Sequence, residues 1–401
     1  MQKFTLKNGL KVLYQKTNSN SATVNVLVKT GSNNESNGIS GISHFIEHML
    51  FEGTKKRPNS RLIANEIEKL GGIFNAYTSG EVTCYYAKVM NKDIEKAFEI
   101  LSDIILNPLF ENKIIGKERK VIMKELHMVI DDPRFYQWRL FQKELFKGHP
   151  AANPTLGTSA SLKSMSREKI LNYYRKFYSA DKMVISVAGN IDGVNSMAEK
   201  YFLGMKPNNS KLPSHSGPPK QFLSVKIEKR KILSSYWVIG YKTPSRSSRE
   251  SYALDTIAAM LGRGQSGKLF DEIRNKNGLA YEVGVNHEPS KEHGYFAVYA
   301  STDKANVEKG RNIALNVINE VKKTTERDLE DAKTYIEGRH AIEMDETEKF
   351  ADKLAYWEFA SRAEDALEYI DKIKNVTLAD IRNVATKYLN KEYTMVVLEP
   401  K

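Results

Sequence analysis

Three blocks of sequence recur in the same order on either side of a proline-rich seam, and this repeat narrows the possible folds more than any other feature. The seam, MKPNNSKLPSHSGPPK (205–220), holds four prolines and few apolar residues, so it continues neither a helix nor a central strand. Before it come EIEKLGGIFNAY (66–77), the strand-like YYAKVM (85–90) and DIEKAFEIL (93–101). After it come EIRNKNGLAYEV (272–283), YFAVYA (295–300) and NVEKGRNIAL (306–315). Glu66 and Glu272 lie 206 positions apart, Glu95 and Glu308 lie 213 apart, and FIEHML (45–50) falls over TIAAML (256–261) at 211. A register that drifts only by loop-sized steps marks a tandem repeat. The expectation is an α+β chain of two tandem homologous domains, 1–207 and 221–401, joined by a linker over 208–220. Each is a mainly antiparallel β-sheet with helices packed on it.

The 401 residues are enough for two real cores. A single cysteine, Cys84, rules out a disulfide framework and any multi-cysteine metal site, and its place in a strand-like run predicts packing. The charge balance, 61 Lys+Arg against 49 Asp+Glu, raises the question of nucleic acid, but no supporting motif answers it. The glycine-rich LGRGQSG (261–267) runs on into Lys268-Leu269, so it is not a phosphate loop and no nucleic-acid partner is expected. The opening MQKFTLKNGLKVLYQ lacks the apolar core of a signal peptide. It reads as a hairpin about Asn8-Gly9, with both turn residues at positive φ. No stretch approaches the ~20 apolar residues that span a bilayer, so the expectation is no membrane partner and a cytoplasmic location. The segment MDETEKFADKLAYW (344–357) reads as a helix with solvated acidic and basic faces.

Chemistry concentrates in GISHFIEHMLFEGT (41–54). At 100° per residue His44, Glu47 and His48 fall within about 100° of one another on one helical face. Ile42, Phe45, Ile46, Met49, Leu50 and Phe51 occupy the rest, and a helix apolar nearly all round is a buried helix. Three titratable groups inside it need partners. Two histidines at i and i+4 present nitrogens to one cation, and the glutamate beside them suits a bound water. A third ligand is offered by ENKIIGKERKVIMKELHMVI (111–130). There Glu118 and Glu125, seven apart, share the apolar face with Val121, Ile122 and Val129. His127, His149, His215, His287, His293 and His340 carry no ligand spacing and read as surface or local structural residues.

HFIEH is the inverted zinc-peptidase pattern H-x-x-E-H. Glu125 stands 77 positions after His48, and Glu118 seven before that. With KNGLKVL near the start, GGIFNAYTS (71–79), KERKVIMKEL (117–126) and GKLFDEIRNKNGLAYEV (267–283), the chain resembles the pitrilysin-type metallopeptidases over nearly its whole length. This is the family of insulysin and the mitochondrial processing peptidase, and the size matches its short two-domain members. The resemblance implies one Zn2+ per chain, held in domain 1–207 by His44, His48 and Glu125. It makes Glu47 the general base and Glu118 a second carboxylate supporting the ligands. Asn75 and Ala76 would hold the substrate backbone as an added strand, and Arg274 and Tyr281, in domain 221–401, would bind substrate and stabilise the tetrahedral intermediate. Gly80 departs from the pattern, since relatives often carry a charged residue there.

The implied function is a zinc-dependent endopeptidase acting on peptides or unfolded polypeptide segments. The alternative is a non-catalytic core or assembly subunit of the same fold. Under the 211 offset His44, Glu47 and His48 fall on Asp255, Ala258 and Ala259, so the second half is expected to lack the metal. In the long relatives the Arg/Tyr pair comes from a second pair of domains. For a two-domain chain the resemblance leaves open whether Arg274 and Tyr281 serve their own site or another copy's, and the expectation is a homodimer whose active site is completed in trans.

Overall fold

The N-terminal hairpin is present, though its turn differs from the expected one. In the computed structural model, which describes residues 1–215, 217 and 220–401, β1 (Gln2–Thr5) runs antiparallel to β2 (Lys11–Lys16). Gly9 has φ +86°, but Asn8 is not in the left-handed region. Asn8 acts through its side chain, which donates to the carbonyls of Phe202 and Met205 and accepts from Leu10 N–H at 3.2 Å. Ser216, Pro218 and Pro219, within the expected linker, lie outside the described residues.

The first sheet continues with β3 (Ser21–Val28), β4 (Ile73–Thr78), β5 (Thr83–Met90) and β6 (Met183–Gly189), in the order β1-β2-β6-β3-β5-β4. The second contains β7 (Ser224–Arg230), β8 (Ser235–Thr243), β9 (Ala280–Pro289), β10 (Gly294–Thr302) and β11 (Thr394–Pro400), in the order β7-β11-β8-β10-β9. Within each sheet one pair is parallel, β2 with β6 and β7 with β11, and the other pairs are antiparallel. From β2 onward the two sheets match strand for strand in order and direction. This is the topology a tandem duplication gives, and among the described residues β1 alone has no counterpart.

Two compact units emerge, and they cut across the halves of the sequence. One comprises Met1–His127, Asn153–Ser214 and Ile342–Ala366; the other comprises Met128–Ala152, His215–Ala341 and Leu367–Lys401. The physical cause lies in the central strands. On β3 every residue from Ala22 to Val28 is buried, so both faces of its sheet need cover. Helix Ile94–Leu106 covers one face, and helix Thr347–Ala360 packs on β3 and β6. In the other unit helix Pro133–Leu145 packs on β8 and β11, the equivalent strands. Phe141 seats directly over Gly240, where a Cβ would come within 2.2 Å of its ring.

Helix Thr347–Ala360 corrects the expectation of a solvated segment. Ala351, Leu354, Ala355, Trp357 and Glu358 are buried, and the charged Asp352 and Glu358 find partners in the sheet. Asp352 accepts from Asn25 (3.2 Å) and the Tyr77 hydroxyl (2.5 Å), and Glu358 pairs with Lys3 and Lys11, each at 2.6 Å. Beside it Cys84 is fully buried on β5, with its thiol pushed well up by burial, as a packing role requires.

Candidate metal centre

Helix Ile42–Phe51 starts without a side-chain cap of its own, from Gly41 at φ +88°. The buried carboxylate of Glu35 closes that end: Oε2 accepts from Gly41 N–H at 2.6 Å and Oε1 from Ser43 N–H at 2.8 Å. The Ser43 hydroxyl is hydrogen-bonded to the Tyr173 hydroxyl (2.9 Å), and that in turn to Thr30 (2.8 Å). His44 is therefore delivered from a helix start fixed on two sides.

One turn of this helix brings His44 and His48 together, with ring centroids 4.7 Å apart. Helix Asn112–Asp131 places Glu125 against both, Oε2 being 3.7 Å from His44 Nε2 and 3.4 Å from His48 Nε2. One ligand atom from each of the three residues lies within 4.8 Å of the others. Two turns back on the same helix, buried Glu118 sets Oε2 3.1 Å from His48 Nδ1. If His48 donates its Nδ1 proton there, its Nε2 lone pair is left facing Glu125. Lys117 approaches the other Glu118 oxygen at 3.4 Å.

The electrostatics suit a cation. Burial, reinforced by the nearby His48, lowers the His44 pKa to about 3, so the imidazole is neutral with a free lone pair. Burial pulls His48 the same way, but the Glu118 hydrogen bond and the charges of Glu125, Glu47 and Glu118 outweigh it and the pKa rises. Glu47 is raised mainly by burial and further by Glu125, against a hydrogen bond from the Thr78 hydroxyl and the pull of His48. For Glu118 burial is outweighed by His48 and Lys117, and its carboxyl is held low. Two imidazoles and three carboxylates thus crowd one spot with Lys117 at the rim, a donor set that fits a divalent cation with nitrogen and oxygen ligands. His44 Nδ1, buried with no hydrogen-bond partner among the described residues, is the imperfect point of the arrangement.

Beside the centre, β4 forms the edge of the first sheet and carries Asn75 and Ala76. Phe74 packs its ring 4.8 Å from that of Phe51, at the end of the histidine helix. In the other unit, Arg274 sits on a π-helical turn, Asp271–Lys276, and Tyr281 lies on β9, 82% exposed. Arg274 donates to the Tyr281 carbonyl at 3.2 Å, and its guanidinium lies 4.8 Å from both the Tyr281 and Phe270 rings, so the pair is one stacked group.

At the position equivalent to His44 the second unit has a different solution. Asp255, on helix Glu250–Gly262, accepts from Arg246 (2.6 Å) and the Tyr369 hydroxyl (3.1 Å), and lies 2.7 Å from His287 Nδ1. Arg246 and His287 outweigh burial and hold its carboxyl far below the usual range. A protein guanidinium supplies the positive charge here. Sequence reasoning passed over two residues of the first site, Thr78 and Glu35. Thr78 stands inside the GGIFNAYTS block, where a strand threonine is unremarkable. Glu35 is signalled only by an acidic residue a few positions ahead of a helix that starts at a glycine.

A family model described as Insulinase (Peptidase family M16) matches residues 11–159, and one described as Peptidase M16 inactive domain matches residues 164–336. An uncharacterized zinc protease of Rickettsia bellii is 32% identical over 405 residues, covering 98% of this chain and 96% of that protein. The crystal structure of a protease from Helicobacter pylori superposes with a TM-score of 0.95 at 22% identity, covering 100% of this chain and 99% of that one. A chain in a structure of complex III2 from Candida albicans gives 0.85 at 18% identity, covering 99% and 95%. The two solved structures show a shared fold. Among the described residues, no helix is long and apolar enough to cross a membrane.

Proposed function

The chain belongs to the insulinase-type peptidase family M16, and on that premise we propose that it is a zinc-dependent endopeptidase cleaving peptides or unfolded polypeptide segments, with Glu47 as general base. The observation that carries this reading is the convergence of His44, His48 and Glu125 beside Glu47, with no arginine or lysine paired to Glu47 or Glu125 among the described residues. When bound, the metal supplies Lewis-acid chemistry, acidifying water and polarising the scissile carbonyl.

The residues of the chain do the rest. His44, neutral at working pH, and His48, oriented by Glu118, hold the cation with Glu125. The Thr78 hydroxyl fixes one oxygen of Glu47 and leaves the other to take a proton from the attacking water. As the water oxygen bonds to the carbonyl carbon and the C–N bond breaks, Glu47 hands that proton to the leaving amine. Asn75 and Ala76, on an open sheet edge, suit a substrate held as an added strand. Tyr281 would donate to the carbonyl oxygen as it gains charge, with Arg274 stacked behind it. The same reading makes the working form a homodimer in which Arg274 and Tyr281 of one copy complete the site of the other.

Glu47→Gln tests the assignment. The variant is expected to keep one zinc per chain by elemental analysis and to cleave an unfolded polypeptide at least about 100-fold more slowly. Undiminished cleavage by purified Glu47→Gln protein overturns the role. The second reading, a non-catalytic assembly subunit, draws on the fold shared with a chain of complex III2. It predicts no cleavage by the wild-type chain even with zinc bound.

A further inference from the structure

Several helical lysines of this chain have an acid three or four residues away. Lys96 pairs with Glu99 at 2.6 Å, Lys276 with Glu272 at 2.7 Å and Lys333 with Glu330 at 2.9 Å. Helix Asn112–Asp131, which brings Glu118 and Glu125 to the histidines, departs from this pattern. Its Lys113, Lys117, Lys120 and Lys124 are exposed, and no acid stands three or four positions from any of them. At 100° per residue the four fall within about 60° of one another. They span about 16.5 Å of the helix axis, in steps of about 6, 4.5 and 6 Å. Successive members are three or four apart, where like charges repel, and Lys113 lies in the first turn, where the helix dipole is already positive. Lys117 reaches Glu52 at 3.0 Å and Glu118 at 3.4 Å. Among the described residues Lys113, Lys120 and Lys124 have no acidic partner.

The stripe borders the candidate metal centre. About 120° of helix surface separates it from the row of Glu118 and Glu125, and Val121, 37% exposed, lies between the two rows. The Glu125 side chain is itself 39% exposed. A polypeptide passing Glu125 therefore meets Val121 and then a line of uncompensated cations, all on one helix. The steps along the line suit an extended chain. In such a chain every second side chain points the same way, about 6.6–6.8 Å apart, so a short run with alternating carboxylates follows the lysines closely.

We propose that Lys113, Lys117, Lys120 and Lys124 form a docking stripe for an acidic, extended segment of the polypeptide that is cleaved beside Glu125. The proposal rests on the peptidase reading, and measuring binding without cleavage separates the two. The probes are a fluorescently labelled unfolded peptide with a run of alternating glutamates and a control with glutamine at the same places. Fluorescence anisotropy with zinc-loaded Glu47→Gln protein reads their binding. The acidic peptide is expected to bind at least about tenfold more tightly at low ionic strength, and added salt should shrink the advantage. Lys113→Gln, Lys120→Gln and Lys124→Gln together should abolish the advantage and leave the control unchanged, with circular dichroism confirming the fold. Lys113→Glu, Lys120→Glu and Lys124→Glu together should reverse the preference. With Glu47 intact, the triple glutamine variant should lower kcat/KM for the acidic peptide about tenfold through KM, at unchanged kcat. Equal binding of the two peptides, or a preference that survives the triple substitution, overturns the proposal. Binding of duplex DNA or phosphatidylglycerol vesicles through these lysines, with no preference between the peptides, does the same. Wild-type protein that binds with the expected preference and cleaves neither peptide overturns the peptidase reading and upholds the stripe as a docking site.

Discussion

His48 and Glu118 show how much a single carboxylate decides. A proton on Nδ1 shared with Glu118 across 3.1 Å would fix the histidine tautomer, and Glu118 is buried, so water is a poor substitute. Glu118→Gln turns a charged acceptor into an amide that can present its N–H2 to the ring. We expect a 10- to 100-fold loss of zinc affinity in chelator competition, with the far-ultraviolet circular dichroism unchanged. Unaltered affinity would assign Glu118 to packing alone. His44, His48, Glu118 and Glu125 were legible in the sequence because each breaks an apolar helical face, and a buried ionisable group demands a reason. Thr78 breaks nothing. Its hydroxyl matters only because the fold of β4 brings it to Glu47, thirty-one residues away in the chain, and no local pattern carries that contact.

Among the elements, the helix that presents the histidines depends on an acid outside it. Glu35 caps Gly41 and Ser43, yet burial, partly offset by those same bonds, raises its pKa from 4.5 to about 7. Between those values the folded chain keeps a proton that the unfolded chain has released. The contribution of Glu35 to stability is therefore fully present below about 4.5 and is lost as pH rises through about 7. At 1.36 kcal/mol per unit the swing reaches roughly 3 kcal/mol. Glu35→Gln removes the titration. On metal-free protein, its melting temperature minus that of wild type should rise from pH 4.5 to 7 and level off above. A difference flat with pH would show that the Glu35 pKa is ordinary in the folded chain. A carboxylate that costs stability at neutral pH while accepting two N–H bonds makes sense if it holds the histidine helix in place. The helices themselves were readable from periodicity and their stops, but their surroundings were not. Thr347–Ala360 carries charges on what turned out to be its buried face, and only the sheet beneath it, with Asn25, Tyr77, Lys3 and Lys11, makes that tolerable.

For the whole molecule, the repeat was legible because duplicated blocks keep their order, and the two sheets share strand order and direction from β2 onward. The exchange of helices between the halves was not, since an amphipathic stripe does not say which sheet it will cover. The repeat also bears on how the site works. The first unit carries the His44–His48–Glu125 cluster, while the second places Asp255 in a bond to Arg246 and carries the exposed Arg274–Tyr281 pair. A chain holding both sets needs no specialised partner if two copies share them. Glu47→Gln removes the proposed base while leaving Tyr281 intact, and Tyr281→Phe removes the hydroxyl while leaving His44, His48 and Glu125 intact. Each alone should be nearly inactive. Mixed after subunit exchange, they form some dimers with one intact composite site. At equal amounts, half the dimers are mixed and each has one good site of two, so about a quarter of wild-type activity should return if the pair acts in trans. If Tyr281 acts within its own chain, no mixed dimer contains an intact site, and activity stays at the level of the separate variants. Subunit exchange, followed by energy transfer between labelled copies, makes the absence of recovery decisive against trans completion.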